Sequence, residues 1–202
     1  MAIAHSALAA LALPSFDDVL PAAFRRDLGL DPATQYGVAC RDVPRAIADA
    51  EALGGGPFLR ARVSPPHWTE RGVRRRAHLD FALGYCDDVQ LEFLGPGKGT
   101  RFYADALGDA DTILHHVGVY QRGLASLTER LERAGHVTVV SGGVRLGPLA
   151  RFQFRYFDTR AALGIYLEIL DFAWLGDHPI PMRPFIERAA RLRSPRFRAA
   201  PR

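Results

Sequence analysis

The sequence predicts an α+β fold made of two modules, each running strand, helix, strand, strand, strand. Three observations predict it. Gln35-Tyr36-Gly37-Val38-Ala39 matches His116-Val117-Gly118-Val119-Tyr120 at a separation of 81 residues, and Gly54 and Gly135, each closing a helical stretch, match at the same separation. Gln90-Leu91-Glu92-Phe93-Leu94 matches Tyr166-Leu167-Glu168-Ile169-Leu170 at a separation of 76. The segments around these motifs alternate apolar and polar residues with period two, as half-buried strands do. Two copies of about 80 residues imply paired modules, because a solenoid needs three or more repeats.

The elements follow in order. Residues 1–33 form an N-terminal extension. Residues 2–13 are apolar but carry no Lys or Arg, so a short packed helix is expected there rather than a secretory signal. Helical spacing runs over residues 17–30, broken by Pro21 and ended by Gly29 and Pro32. The first module, residues 34–96, opens with a strand over 34–41. Asp42 is an expected N-cap for a helix over 45–53, with Pro44 tolerated in the first turn. Strands are expected over 58–63, 73–86 and 89–94, with a loop at 64–72. Residues 95–111 link the modules through a Gly-rich turn and a short helix capped by Thr100. That turn lacks the spacing of a P-loop or a dinucleotide fingerprint.

The second module, residues 113–172, repeats the plan. Its first strand covers 113–120. Leu124, Leu127 and Leu131 then space one apolar helix face opposite Glu129, Arg130, Glu132 and Arg133. Strands follow over 137–141, 151–157 and 165–170, with turns at Gly142-Gly143 and over 158–164. Residues 173–202 form a basic C-terminal tail.

The formal net charge of +4 is concentrated in that tail: residues 181–202 hold seven arginines against one acid, Glu187, and the rest of the chain sums to −2. A solvated tail, or a helix packing on a partner subunit, is favoured over a nucleic-acid arm, because no nucleic-acid motif accompanies it. No apolar run reaches the roughly 20 residues that span a bilayer. Cys40 and Cys86 lie in separate strands and are expected as buried free thiols of a cytoplasmic protein.

Over residues 34–172 the order and spacing of these motifs resemble the vicinal oxygen chelate superfamily, which includes glyoxalase I and methylmalonyl-CoA epimerase. The resemblance rests on His116-Val117-Gly118-Val119, on Tyr166-Leu167-Glu168-Ile169-Leu170, and on Leu91-Glu92-Phe93-Leu94-Gly95-Pro96 with the following Gly97 to Phe102. The last segment looks most like the epimerase branch. The resemblance implies a curled sheet around a central cavity, with helices on its outer face. Alternation then sorts the side chains. Val117, Val119, Leu167, Ile169, Leu91 and Phe93 go to the helices. Gln35, Gln90, Glu92, His116, Tyr120, Tyr166 and Glu168 go inward, and His115 has the opposite parity.

Gln35, Glu92, His116 and Glu168 thereby fall where the resemblance implies metal ligands. Zinc-type glyoxalase I looks similar in residue types and order, whereas the epimerases have His first and Gln second. One imidazole with oxygen donors suits Zn²⁺, Mn²⁺, Co²⁺, Ni²⁺ or Fe²⁺. The resemblance to glyoxalase I makes Glu168 the catalytic base, and Glu92 would be the opposite-face base of an epimerase. His78, Tyr120, Gln153, Arg155 and Tyr166 are expected to line the substrate pocket, with Arg76 and Arg151 either lining it or facing solvent.

The expected function is a metal-dependent isomerase, epimerase or lyase that abstracts a proton alpha to a carbonyl. Its expected partner is a small molecule, an acyl-CoA or hydroxyacid, ahead of a glutathione hemithioacetal. The alternatives are a metal-free small-molecule-binding protein of the same fold and, ranked lower, an Fe²⁺ ring-cleaving dioxygenase. Such cavities are completed within one chain or across a homodimer, and both arrangements stay open.

Overall fold

Period-two alternation becomes ten strands in one curled mixed sheet. The computed structural model describes residues 11, 13–146, 150–175, 177 and 183–193. The helix expected over residues 2–13 lies almost wholly outside them. Two short helices, α1 (Phe16–Val19) and α2 (Ala22–Leu28), come first, separated at Pro21. The first module then runs β1 (Gln35–Cys40), α3 (Val43–Ala52), β2 (Leu59–Val63), β3 (His67–Glu70), β4 (Val73–Arg74), β5 (Leu79–Cys86) and β6 (Val89–Leu94). The link holds α4 (Phe102–Leu107). The second module runs β7 (Thr112–Tyr120), α5 (Leu124–Arg133), β8 (Thr138–Leu146), β9 (Ala150–Phe157), α6 (Arg160–Leu163) and β10 (Tyr166–Trp174). Asp42 caps α3 as expected, its carboxylate accepting from the Arg45 amide at 3.0 Å. Cys40 and Cys86 are buried free thiols.

The strand order is β2-β5-β6-β1-β7-β10-β9-β8-β3-β4. Within each module the first and last strands pair in parallel, β1 with β6 and β7 with β10. The modules meet through the antiparallel pair β1 and β7. The chain passes from β2 to β3 in only three residues, 64–66, yet β3 lies at the far end of the strand order. The sheet must therefore curl until its two ends approach one another.

That crossing corrects the expected loop over 64–72. It is a β-hairpin that leaves the first module and pairs its Glu70 and Thr69 with Val140 and Ser141 of β8. Arg71 and Gly72 make its turn, both at positive φ (47° and 77°). The single strand expected over 73–86 is split by Arg75, Arg76 and Ala77. The turn expected at Gly142-Gly143 is the middle of β8. These glycines serve packing: a Cβ on Gly142 would stand 2.3 Å from Cζ of the Phe154 ring. The turn over 158–164 contains α6. Part of the C-terminal tail, Arg183–Arg193, is a helix, α7, that packs on this chain's own β2 and β5. No described helix is long and apolar enough to cross a membrane.

Two apolar layers hold the curl. Outside it, Leu91, Val117, Val119, Leu167 and Ile169, all fully buried, join Leu127 and Leu131 of α5 in one apolar cluster. Each such side chain contributes about 1.5–3 kcal/mol by leaving water. Inside the second half, Trp68 of β3 and Phe102, Tyr103 and Leu107 of α4 pack on Phe154, Tyr156 and Tyr166. The linker helix thus fills one half of the curl with aromatic side chains.

Candidate metal centre

Side-chain parity and register converge four polar residues on the inner face. Across the sheet one row reads Gln90, Gln35, Gly118, Glu168, Tyr156, and the next reads Glu92, Gly37, His116, Tyr166. The two glycines sit on the central strands, where the polar side chains need room. A Cβ on Gly37 would lie 1.7 Å from Cε1 of His116, so the imidazole lies directly over this glycine. A Cβ on Gly118 would lie 2.5 Å from Oε1 of Gln35.

His116 Nε2 stands 3.1 Å from Oε2 of Glu168 and 3.6 Å from Oε2 of Glu92. Among the described residues these three form a group whose donor atoms all lie within 4.8 Å of one another. The His116 and Glu168 side chains are 0% and 4% exposed, whereas Glu92 keeps 17%. The approach to the cluster is therefore on the Glu92 side. There Leu83 and Phe81 of β5, with Leu59 and Ala61 of β2, lie half-buried on the same face as Glu92. Helix α7 lies against these two strands, with Arg183 over the inward-facing Tyr85 ring at 5.7 Å.

Gln35 is fixed by its amide nitrogen, which donates to Oε1 of Gln90 at 2.9 Å. Gln90 also accepts from the Tyr120 hydroxyl at 2.9 Å and donates to the Tyr85 hydroxyl at 3.0 Å. This network leaves the Gln35 carbonyl oxygen without a partner. In fact one buried atom from each of the four residues lacks a hydrogen bond: Gln35 Oε1, Glu92 Oε2, His116 Nε2 and Glu168 Oε2. Buried polar atoms are rarely left unpaired, since each costs about 1–3 kcal/mol. A divalent cation would satisfy the Glu92, His116 and Glu168 atoms at once, with Gln35 Oε1 in the adjoining row as the candidate fourth donor. Donors at zinc-like distances of about 2.0–2.2 Å stand roughly 3–4.5 Å from one another, close to the spread of those three. The donor set fits a divalent metal.

The electrostatics agree. Burial raises the Glu92 carboxyl above the usual carboxylate range, and the Glu168 charge adds to this against the opposing His116 contact. Burial alone would lower His116, but the Glu168 and then the Glu92 carboxylate outweigh it and raise the imidazole to about 9. Folding thus favours the charged ring in the metal-free protein. The resulting stability is present below pH 6.5 and is lost as pH rises toward 9. The melting temperature of chelator-treated protein is expected to fall across that window, and a His116→Gln variant to lose that part of the fall.

The other expected pocket residues divide. Tyr120 and Tyr166 do face inward: Tyr120 anchors Gln90, and Tyr166 lies beneath Arg160 at 4.7 Å. His78 is exposed, and its Nδ1 is 2.6 Å from the Ser64 hydroxyl, outside the inner face of β5. Gln153 and Arg155 lie on the outer face of β9, where Arg155 donates to the Thr128 hydroxyl of α5 at 2.8 Å. Arg151 shares that face, 3.8 Å from Asp171, and Arg76 is exposed. The apolar side of β9 faces inward because the second half of the curl is itself filled with aromatics. Tyr156 consequently lines the cluster, its ring 5.0 Å from that of His116 and its hydroxyl 3.1 Å from that of Tyr103.

His115 also faces inward, against its parity. β7 carries a β-bulge: Gly37 pairs with His116 but Val38 pairs with Leu114, leaving His115 as the extra residue. A bulge breaks alternation and re-aims a side chain. Here it brings two successive histidines to one face, with their Nδ1 atoms 3.1 Å apart.

A family model described as the glyoxalase/bleomycin resistance protein/dioxygenase superfamily matches residues 34–154. The chain belongs to that superfamily. Among solved structures it is similar to methylmalonyl-CoA epimerase from Mycobacterium tuberculosis (17% identity, 68% of this chain and 85% of that one, TM-score 0.45). It is also similar to a variant of 4-hydroxymandelate synthase from Streptomyces coelicolor (9% identity, 80% of this chain and 54% of that one, TM-score 0.49). A third is a variant of Streptomyces coelicolor methylmalonyl-CoA epimerase in complex with 2-nitronate-propionyl-CoA (16% identity, 70% and 96%, TM-score 0.45). Comparison with curated proteins returned no match.

Proposed function

We propose that this chain is a divalent-metal-dependent isomerase, epimerase or lyase that removes a proton alpha to a carbonyl. The observation that carries this reading is the set of four buried donor atoms that make no hydrogen bond, contributed by four adjacent strands, three of them within 4.8 Å of one another. Gln35, Glu92, His116 and Glu168 would hold the ion. When bound, it supplies Lewis acidity that polarises a substrate carbonyl and stabilises negative charge on its oxygen.

The chain's own residues then do the proton work. Glu168, whose Oε2 has no hydrogen-bond partner, is the base that takes the alpha proton. Glu92 lies in the adjoining row of the inner face, separated from Glu168 by two strands, which suits it to serve the opposite face of the same carbon. The half-buried Leu59, Ala61, Phe81 and Leu83 beside Glu92 favour an apolar acyl group over a small, fully polar acid. An acyl-CoA thioester is therefore the first substrate class to try, and a hydroxyacid the second.

The test is proton exchange in D₂O. Protein loaded in turn with Zn²⁺, Mn²⁺, Co²⁺, Ni²⁺ and Fe²⁺ is incubated with short 2-methyl acyl-CoA thioesters and with 2-hydroxyacids, and loss of the alpha proton is followed by NMR. Metal-dependent exchange that chelator abolishes is expected. No bound ion and no exchange with any combination would reject the enzyme reading in favour of a metal-free binding protein.

A further inference from the structure

His115 is the residue that the β-bulge adds to the interior, and neither the donor set nor the proton steps use it. Its side chain is 2% exposed and enclosed by rings: Phe102 edge-on at 4.8 Å, Tyr103 and Tyr166 at 5.0 Å, and Tyr156 at 6.0 Å. Among the described residues its one hydrogen-bonding contact is with the neighbouring ring, Nδ1 to Nδ1 at 3.1 Å. Two nitrogens at that distance share a single proton, so one ring donates and the other accepts. The choice decides what His116 presents on its other side. If His116 donates from Nδ1, its Nε2 can be a bare lone pair among the carboxylates. If His115 donates, a neutral His116 carries its proton on Nε2 and has no lone pair to offer there.

We propose that His115 is a positioning residue of the metal centre, accepting the Nδ1 proton of His116 and so fixing the tautomer whose Nε2 faces Glu92 and Glu168. The inference rests on the metal-centre reading above. The geometry supports it on three counts. The bulge costs a ladder position in a central strand, and this is the hydrogen-bonding contact it gains. The rings around His115 offer it no competing acceptor or donor contact. His116 itself is held in one orientation, because its ring lies over Gly37 and against Tyr156. Outer partners that orient a ligating imidazole typically change metal affinity about 10–100-fold when removed.

Two substitutions separate positioning from packing. His115→Asn puts an amide oxygen where Nδ1 stands and keeps an acceptor. His115→Phe fills the ring cage and removes it. Affinity for Co²⁺ is measured by calorimetry at one fixed pH, with Tm recorded alongside. The Phe variant is expected to bind Co²⁺ about 10–100-fold more weakly than native at similar Tm, and the Asn variant within about threefold of native. Equal affinity in native and Phe variants, or equal weakening in both variants, would overturn the proposal. A native protein that binds none of Co²⁺, Zn²⁺, Mn²⁺ and Ni²⁺ would instead overturn the metal centre itself, and the proposal with it. Long-range ¹⁵N–¹H correlation on Zn²⁺-loaded native protein gives a check that needs no variant. The Nδ1 proton should belong to His116, and finding it on His115 would overturn the assignment.

Discussion

Glu168→Gln is expected to give a folded protein that has lost its divalent ion. Glutamine keeps the shape of the side chain on β10 but removes the anionic donor 3.1 Å from His116. Metal affinity should fall about 100-fold or more, beyond the loss typical of an outer-shell partner. Proton exchange should fall by about 10³, in the middle of the range for losing a general base. Stability in chelator is set by two opposing effects. Losing the Glu168 carboxylate removes the larger of the two contacts that hold His116 charged. It also relieves the repulsion that pushes the Glu92 carboxyl upward and leaves His116 with Glu92 as a neutral pair. The net change should stay below the roughly 3–5 kcal/mol lost when a buried pair is broken outright. Elemental analysis of native and variant, together with melting in chelator, measures both quantities. A variant that keeps a full complement of ion, or that melts far below native, would contradict the assignment.

Gly37→Ala is expected to be as severe, although it adds one methyl group and removes no donor. The new Cβ would lie 1.7 Å from Cε1 and 2.1 Å from both nitrogens of the His116 ring. The ring has nowhere to retreat, since Tyr156 and His115 pack against it with ring centres at 5.0 Å and 5.3 Å. Either the ring leaves its position or β1 separates from β7, the only pairing that joins the first strands of the two modules. A loss of about 3 kcal/mol is expected, at the upper end for overpacking, with metal binding abolished. Chemical denaturation and Co²⁺ titration of the same variant read the two effects. A stable variant that binds Co²⁺ normally would mean that His116 stands elsewhere in solution.

The repeat was readable because each module reuses one motif at one spacing, and alternation then sends Gln35, Glu92, His116 and Glu168 to a common face. What escaped that reading has physical reasons. His115 is displaced by a bulge, which depends on how β1 and β7 pair and leaves no mark in the periodicity of β7. Alternation sends Gln153 and Arg155 inward only if the apolar side of each strand meets helices outside the sheet. That premise fails in the second half of the curl, where α4 and Trp68 bring an aromatic core to the inner face. The β3–β4 hairpin is a pairing between residues about 70 positions apart, and the prolines before it carry only the local signal of a loop. His78 fails on the same premise as Gln153 and Arg155: alternation puts it opposite Leu79, Phe81 and Leu83, and that apolar side of β5 is the one that faces inward.

The same hairpin settles how the ends of the sheet meet their surroundings. An open sheet presents unpaired amides and carbonyls on its outermost strands, and these can recruit a strand from another molecule. β8, nine residues long, would be such a border if the second module ended with its own strands. The hairpin takes up that border and leaves in its place β4, two residues long and followed by Arg75 and Arg76. The opposite border, β2, spans five residues, two of them arginines that pair with Asp80, and α7 packs beside it. Both borders are therefore short, so a second copy approaching edge-on finds little backbone to bond. The crossing that curls the sheet around its polar centre also guards the protein against self-association by strand addition.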